Sequence, residues 1–154
     1  MRPMKVLLAV DGSPCSEAAV REVATRPWPP DSSVRIVAAV EPPAPLAAEP
    51  YMLASGYFEE AERLKRAAAG EVLKRAAAGV SDGEGGRGLK VTTATLTGSP
   101  KRAIVEDAEE WGADLIVVGS HGLRTWERML LGSVSQTVAA HARCSVEIVR
   151  SREE

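Results

Sequence analysis

Two short runs, KVLLAV at Lys5–Val10 and ADLIVV at Ala113–Val118, constrain the fold most. Apart from a lysine in the first and an aspartate in the second, both are apolar with no polar alternation. A strand with one wet face alternates, whereas a strand covered on both faces does not. Each run breaks off into a glycine-bearing turn, DGSP after the first and GSHG after the second. Apolar strands of this kind, separated by helix-length segments, suit a parallel sheet, whose crossovers need about a dozen residues or more.

The segments between the strands carry helical signals. Ser13 is placed to cap a helix, Pro14 fits its first turn, and Glu17 suits the positive end of its dipole. Ala18, Ala19 and Val23 then share one face. SVRIVAAV at Ser33–Val40 reads as a second strand, and the proline-rich stretch Glu41–Pro50 as a loop. From about Gly56 to Gly79, Phe58, Ala61, Leu64, Ala68, Val72 and Ala76 recur at helical spacing. LKRAAAG occurs twice there, at Leu64–Gly70 and Leu73–Gly79. Copies nine residues apart fall on opposite helix faces, so the repeat is not a structural unit. Gly79 is predicted to close this helix, and SDGEGGRG to form a flexible turn.

LKVTTATL reads as a third strand, and GSPKRAIVEDAEEWG as a helix ending on Gly112. ADLIVVGS is the fourth strand, Gly132–Ala142 the last helix, and CSVEIVR the fifth strand. The order βαβαβαβαβ predicts one α/β domain over residues 1–154, built on an open parallel sheet with helices on both faces. A net charge of −2 provides no basic field for nucleic acid or anionic lipid. No apolar run approaches the ~18 residues of a membrane helix. The basic start MRPMK leads into a short run that meets Asp11, which reads as a strand and not a secretory signal. Cys15 and Cys144 show neither metal spacing nor a disulfide framework. The cytoplasm is the expected compartment.

Two glycine patterns compete as phosphate loops. Gly83, Gly85 and Gly88 match G-x-G-x-x-G, but a predicted helix precedes them and a strand follows, the reverse of what a dinucleotide loop needs. Gly119, Gly122 and Gly132 have the right context, leaving a buried strand and entering a helix. Bare backbone lets N–H groups approach phosphate oxygens, and the helix beginning near Gly132 aims its orphan N–H groups at the same place. Ser133 and Ser135 add hydroxyls, and no Walker-type lysine is present.

Gly119, Gly122, Gly132 and Ser133 satisfy G-2x-G-9x-G-[ST], and in this the chain resembles the ATP-binding branch of the universal stress protein family. KVLLAVDGSPCSEAAV, IVAAVEP and DLIVVGSHG are similar to that family's first, second and fourth strand regions. The resemblance implies five parallel strands in the order 3-2-1-4-5, with the ligand crevice between strands 1 and 4. It implies that Ala9, Val10 and Asp11 meet adenine and ribose, that Val40 walls the base and that Val118 lies beside the ribose. Gly119, Gly122, Gly132, Ser133, Val134 and Ser135 would hold the phosphates of ATP (or ADP or AMP), with Mg²⁺ or Mn²⁺. Asp11 suits ribose hydroxyls or the divalent ion, and a loop cap before Ser13 is its structural alternative. A homodimer through the last strand, residues 145–150, is also implied.

Arg124 and Arg128 lie in the loop over the expected phosphates, and Arg124 is a candidate phosphate partner. Trp126 either covers the site or packs, His121 is a loop side chain between motif glycines, and Cys15 falls in a first helical turn, where a thiolate gains some stability. No catalytic set emerges, because hydrolysis needs oriented water and charge stabilisation. The expected role is a nucleotide-dependent regulatory protein. A slow ATPase or nucleotide transferase and a nucleotide-free interaction adaptor are the alternatives, and the protein partner is unknown. Glu147 stands in the last strand where an apolar residue is more usual, and an inward charge there is expected to oppose strand pairing across a dimer axis.

Overall fold

A computed structural model of the protein describes residues 1–43, 50, 56–123 and 130–152. Strands β1 (Lys5–Ala9), β2 (Ser33–Val40), β3 (Lys90–Thr97), β4 (Leu115–Gly119) and β5 (Ser145–Val149) form one parallel sheet in the order β3-β2-β1-β4-β5. Among the described residues the main connecting helices are α1 (Pro14–Thr25), α2 (Tyr57–Asp82), α3 (Pro100–Trp111) and α4 (Ser133–His141). The central strand β1 is buried from Val6 to Ala9, which is why its sequence shows no alternation.

Strand alternation divides the core in two. Val6, Leu8, Ile36 and Val117 pack against Ala19 and Val23 of α1 and Leu73, Ala76 and Val80 of α2. Leu7, Val37, Ile116 and Val118 pack against Ile104 and Ala108 of α3 and Val138 of α4. Helices therefore cover both faces of the sheet, as the strand-helix order predicts. A bidentate ion pair, Arg35 to Asp107 at 2.7 and 2.9 Å, ties β2 to α3. Among the described residues no helix is long and apolar enough to cross a membrane.

Two expectations need correction. Helix α2 does not close at Gly79 but runs to Asp82, with Gly83 as its cap. A Cβ on Gly79 would lie 3.0 Å from Val20 Cγ1, so this glycine serves the contact between α1 and α2. The SDGEGGRG segment is not a loose turn. Glu84–Gly86 form a 3₁₀ turn in which a Cβ on Gly83, Gly85 or Gly86 would strike backbone atoms of Ala24, Arg26 or Val80. A helix precedes this segment and β3 follows, so it is not a phosphate loop. Glu41–Pro43 lack regular structure, and residues 44–49 lie outside the described residues.

Glu147 is not left as an uncompensated charge. Arg26 Nη2 donates to its carboxylate at 2.7 Å and also reaches Glu22 at 2.7 Å. Val146 and Ile148 pack on the α3–α4 side and Val149 on the α1–α2 side, as alternation predicts.

Candidate functional site

The chain leaves β1 through α1 toward β2, and leaves β4 through α4 toward β5 on the other side. The carboxyl ends of β1 and β4 are therefore neighbours whose connections diverge, the place where open α/β sheets form a ligand crevice.

The β1 side is a tied turn. Val10 N–H donates to Val37 O at 2.9 Å, and Asp11 N–H donates to the Ser16 hydroxyl at 3.1 Å. Asp11 Oδ1 accepts Ser13 N–H at 2.9 Å, which realises the loop-cap role. Ser13 in turn caps α1, its hydroxyl accepting Ser16 N–H at 3.2 Å.

The β4 side is built on Ser120. Its N–H donates to Val149 O at 2.7 Å. Its carbonyl accepts from Gly132 N–H at 2.7 Å and from the Ser135 hydroxyl at 3.0 Å, so the two ends of the loop are pinned together. Gly132 is the N-cap of α4 with no side chain to offer, which leaves the first N–H groups of that helix aimed outward. The two turns also meet. Ser13 Oγ donates to His121 O at 3.3 Å, and a Cβ on Gly122 would lie 2.8 Å from Asp11 Oδ2.

Between them opens a cavity of about 100 Å³. Its apolar walls are Val37, Ala39, Ile104, Val118 and Val134, and Asp11 and His121 stand among its polar ones. It is smaller than the ~300–1,000 Å³ typical of sites that bury a whole drug-sized ligand.

The structure brings Ala9, Val10, Asp11, Val118, Gly119, Gly122 and Val134 to this cavity. Gly132, Ser133 and Ser135 lie beside it, at the start of α4. Ser133 is exposed, whereas Ser135 is buried and its hydroxyl donates to backbone carbonyls of Ser120 and Gly132. Val40 does not line the cavity: alternation along β2 sends its side chain to the opposite face from Val37 and Ala39. Arg124, Trp126 and Arg128 lie outside the described residues. Val37, Ala39, Pro100 and Ile104 were not singled out from sequence. The usable signal was the odd-numbered phase of β2 and the second Gly-Ser-Pro helix start, which puts Pro100 and Ile104 one turn apart.

Behind the loop, Cys15 Sγ lies 3.4 Å from Ser120 Oγ, which is itself 3.0 Å from His121 Nδ1. Burial opposes ionisation of this thiol, but hydrogen bonds involving Ser120, Ser151 and His121 outweigh it and lower its pKa to about 7. Cys144 differs, since burial pushes its thiol above the ordinary value. Among the described residues no three His, Cys, Asp or Glu side chains converge as a metal site.

Comparison with known proteins gives a consistent result. The universal stress protein family matches residues 3–150. The universal stress protein MJ0531 of Methanocaldococcus jannaschii is 48% identical over 63 residues, 41% of this chain and 37% of that protein. A putative universal stress protein of Staphylococcus haemolyticus is 45% identical over 64 residues, 41% of this chain and 39% of its own length. The chain thus spans about two fifths of these curated relatives. Among solved structures, the protein MJ0577 superposes with a TM-score of 0.82 at 23% identity, covering 100% of both chains, a likeness of fold. A universal stress protein in complex with cAMP has a TM-score of 0.61 at 27% identity, covering 98% of this chain and 99% of that one. An Arabidopsis thaliana member with AMP bound has a TM-score of 0.61 at 19% identity, covering 97% of this chain and 93% of its own.

Proposed function

The chain belongs to the universal stress protein family, and from that premise we propose that it binds ATP in the crevice between β1 and β4 and acts as a nucleotide-dependent regulatory protein in a stress response. One observation carries the reading: an apolar slot and an anion-seeking helix start open onto the same point. Val37, Ala39 and Ile104 suit the flat faces of a base, and Ala9, Val10 and Asp11 the base edge and ribose. Gly119, Gly122, Gly132, Ser133 and Val134 suit the phosphates, where orphan N–H groups and the positive end of the α4 dipole favour anions. Ser135 contributes by fastening the loop through Ser120 O. The cAMP and AMP carried by related proteins support an adenine nucleotide. The ATP preference rests on the loop and the helix start.

A divalent ion fits this arrangement only together with the nucleotide. Mg²⁺ commonly takes one or two carboxylates and completes its shell with phosphate oxygens and water. Asp11 is one exposed carboxylate beside the loop, which matches that donor set for Mg²⁺ or Mn²⁺. Turnover is expected to be far below the enzyme median of about 10 s⁻¹. Asp11 Oδ1 is engaged by Ser13 N–H and His121 Nδ1 faces Ser120 Oγ, and a site that holds ground and transition states equally gains no rate. A homodimer through β5 belongs to the same reading. The strand is at the sheet edge, and Arg26 draws the Glu147 carboxylate toward α1. The whole 1–154 chain would act as one nucleotide-binding domain in the cytoplasm.

Titration calorimetry tests the reading. ATP is expected to bind at least tenfold more tightly than adenosine, and equal affinities would remove the phosphate cradle.

A further inference from the structure

A second cavity, of about 240 Å³, lies on the other side of the β1–α1 turn, between α1 and α2. Val10, Val20, Val72 and Ala76 give it apolar walls, and Arg21, Arg75 and Glu17 stand around it. The arginines are distinctive. Glu17 and Glu71 each precede one of them by four residues, the favoured spacing and direction for a helical ion pair. Neither pair forms: Glu71 reaches Lys74 instead, and Arg21 and Arg75 make no ion pair among the described residues. Their neighbours Arg26, Arg63 and Arg66 each hold a carboxylate. Arg75 instead reaches across to the turn, its Nη2 lying 3.9 Å from where a Cβ on Gly12 would be.

We propose that this cavity binds a small amphipathic anion, a carboxylate on a short hydrocarbon body. The body would lie between Val10, Val20, Val72 and Ala76, and the head group would meet Arg21 and Arg75. Two guanidiniums against the single carboxylate of Glu17 leave the mouth with an excess positive charge, and the guanidinium fork matches a carboxylate in two-point contact. The volume sets the size. It falls just below the ~300–1,000 Å³ of drug-sized sites and equals roughly eight waters at ~30 Å³ each, which admits about ten heavy atoms. Val10 and Ser16 line this cavity and the crevice alike, so the β1–α1 turn is a wall common to both.

The test uses the full chain without nucleotide, so its outcome is independent of the ATP reading. Octanoate and octan-1-ol are titrated separately while amide resonances are followed by NMR. Octanoate is expected to produce saturable shifts centred on Gly12, Val20, Val72 and Ala76, with octan-1-ol at least tenfold weaker. The double variant Arg21→Glu/Arg75→Glu should weaken octanoate at least tenfold, and Arg21→Lys/Arg75→Lys should recover most of that loss. The site is overturned if octanoate does not saturate, if octan-1-ol binds as well, if the shifts centre elsewhere, or if the double charge reversal leaves binding unchanged.

Discussion

Two glycine-rich turns of this chain look alike as text and differ in what a side chain would meet. In the turn after α2, a Cβ on Gly83, Gly85 or Gly86 would run into the backbone of Ala24, Arg26 or Val80. In the loop after β4, a Cβ on Gly122 would meet, among the described residues, the end of the Asp11 side chain, at 2.8 Å. Gly119, three residues earlier, behaves like the first group. Its Cβ would lie 2.8 Å from backbone atoms of both Cys15 and Ser16, where α1 closes on β4. Glycine can therefore mark a place where the fold closes or a place where it is left open, and spacing alone does not distinguish the two.

Alanine substitution separates them, and the largest loss is expected at Gly86. Backbone cannot swing aside as a side chain can, so Gly86→Ala should destabilise the protein by about 3 kcal/mol or more, at or above the upper end of overpacking costs. Gly119→Ala should follow at about 2–3 kcal/mol. Urea denaturation without nucleotide measures both. A Gly119→Ala protein as stable as wild type would break the comparison, because the close approach of α1 would then not be holding the loop.

Gly122→Ala should cost under about 1 kcal/mol in the same measurement, since the Asp11 carboxylate it meets is the end of a side chain that can shift. Its effect is expected on ligand instead. Calorimetry should show ATP binding weakened at least tenfold, and Gly122→Val should abolish it with the circular dichroism unchanged. A folded Gly122→Val protein that binds normally would show that this glycine does not keep the crevice open. Ser133→Ala should lose less, roughly 1–3 kcal/mol of binding if one hydrogen bond to a charged oxygen disappears.

Much of this was legible in the sequence. Unalternating strands, the Ser13 cap and the Gly-Ser-Pro helix starts are local features, and local chemistry decides them. So does the arrival of Ala9, Val10 and Asp11 at one end of β1. What stayed hidden depends on partners far along the chain. Gly79 looked like a helix end because Val20, the residue it packs against, lies on another helix. Glu147 read only as an inward charge opposed to strand pairing because its partner Arg26 is 121 residues away. Val37 and Ala39 line the cavity and Val40 does not, because strand phase, not proximity to the strand end, selects the face that opens into the crevice.

The two cysteines give the finest measure of the Gly119 contact. A Cβ at Gly119 would lie 2.9 Å from Cys15 Cβ, so the missing side chain is what lets the thiol sit beside Ser120. The thiolate is the reactive form, so alkylation speeds up as pH rises through the thiol's pKa. For Cys15 that rise should centre at about pH 7, and for Cys144, whose thiol is pushed above 9.0, it should come later. At pH 7 half of Cys15 would be ionised against at most about 1% of Cys144. The lower nucleophilicity of a more acidic thiol cuts that ~50-fold advantage to roughly 5–10-fold. Iodoacetamide labelling read by peptide mass spectrometry from pH 5.5 to ~9.5 would separate the two profiles. In Ser120→Ala the Cys15 midpoint should move upward, since a hydrogen bond to the thiolate is lost. Coincident profiles for the two cysteines, or a midpoint indifferent to Ser120, would show that the close approach at Gly119 does not fix the thiol against the loop.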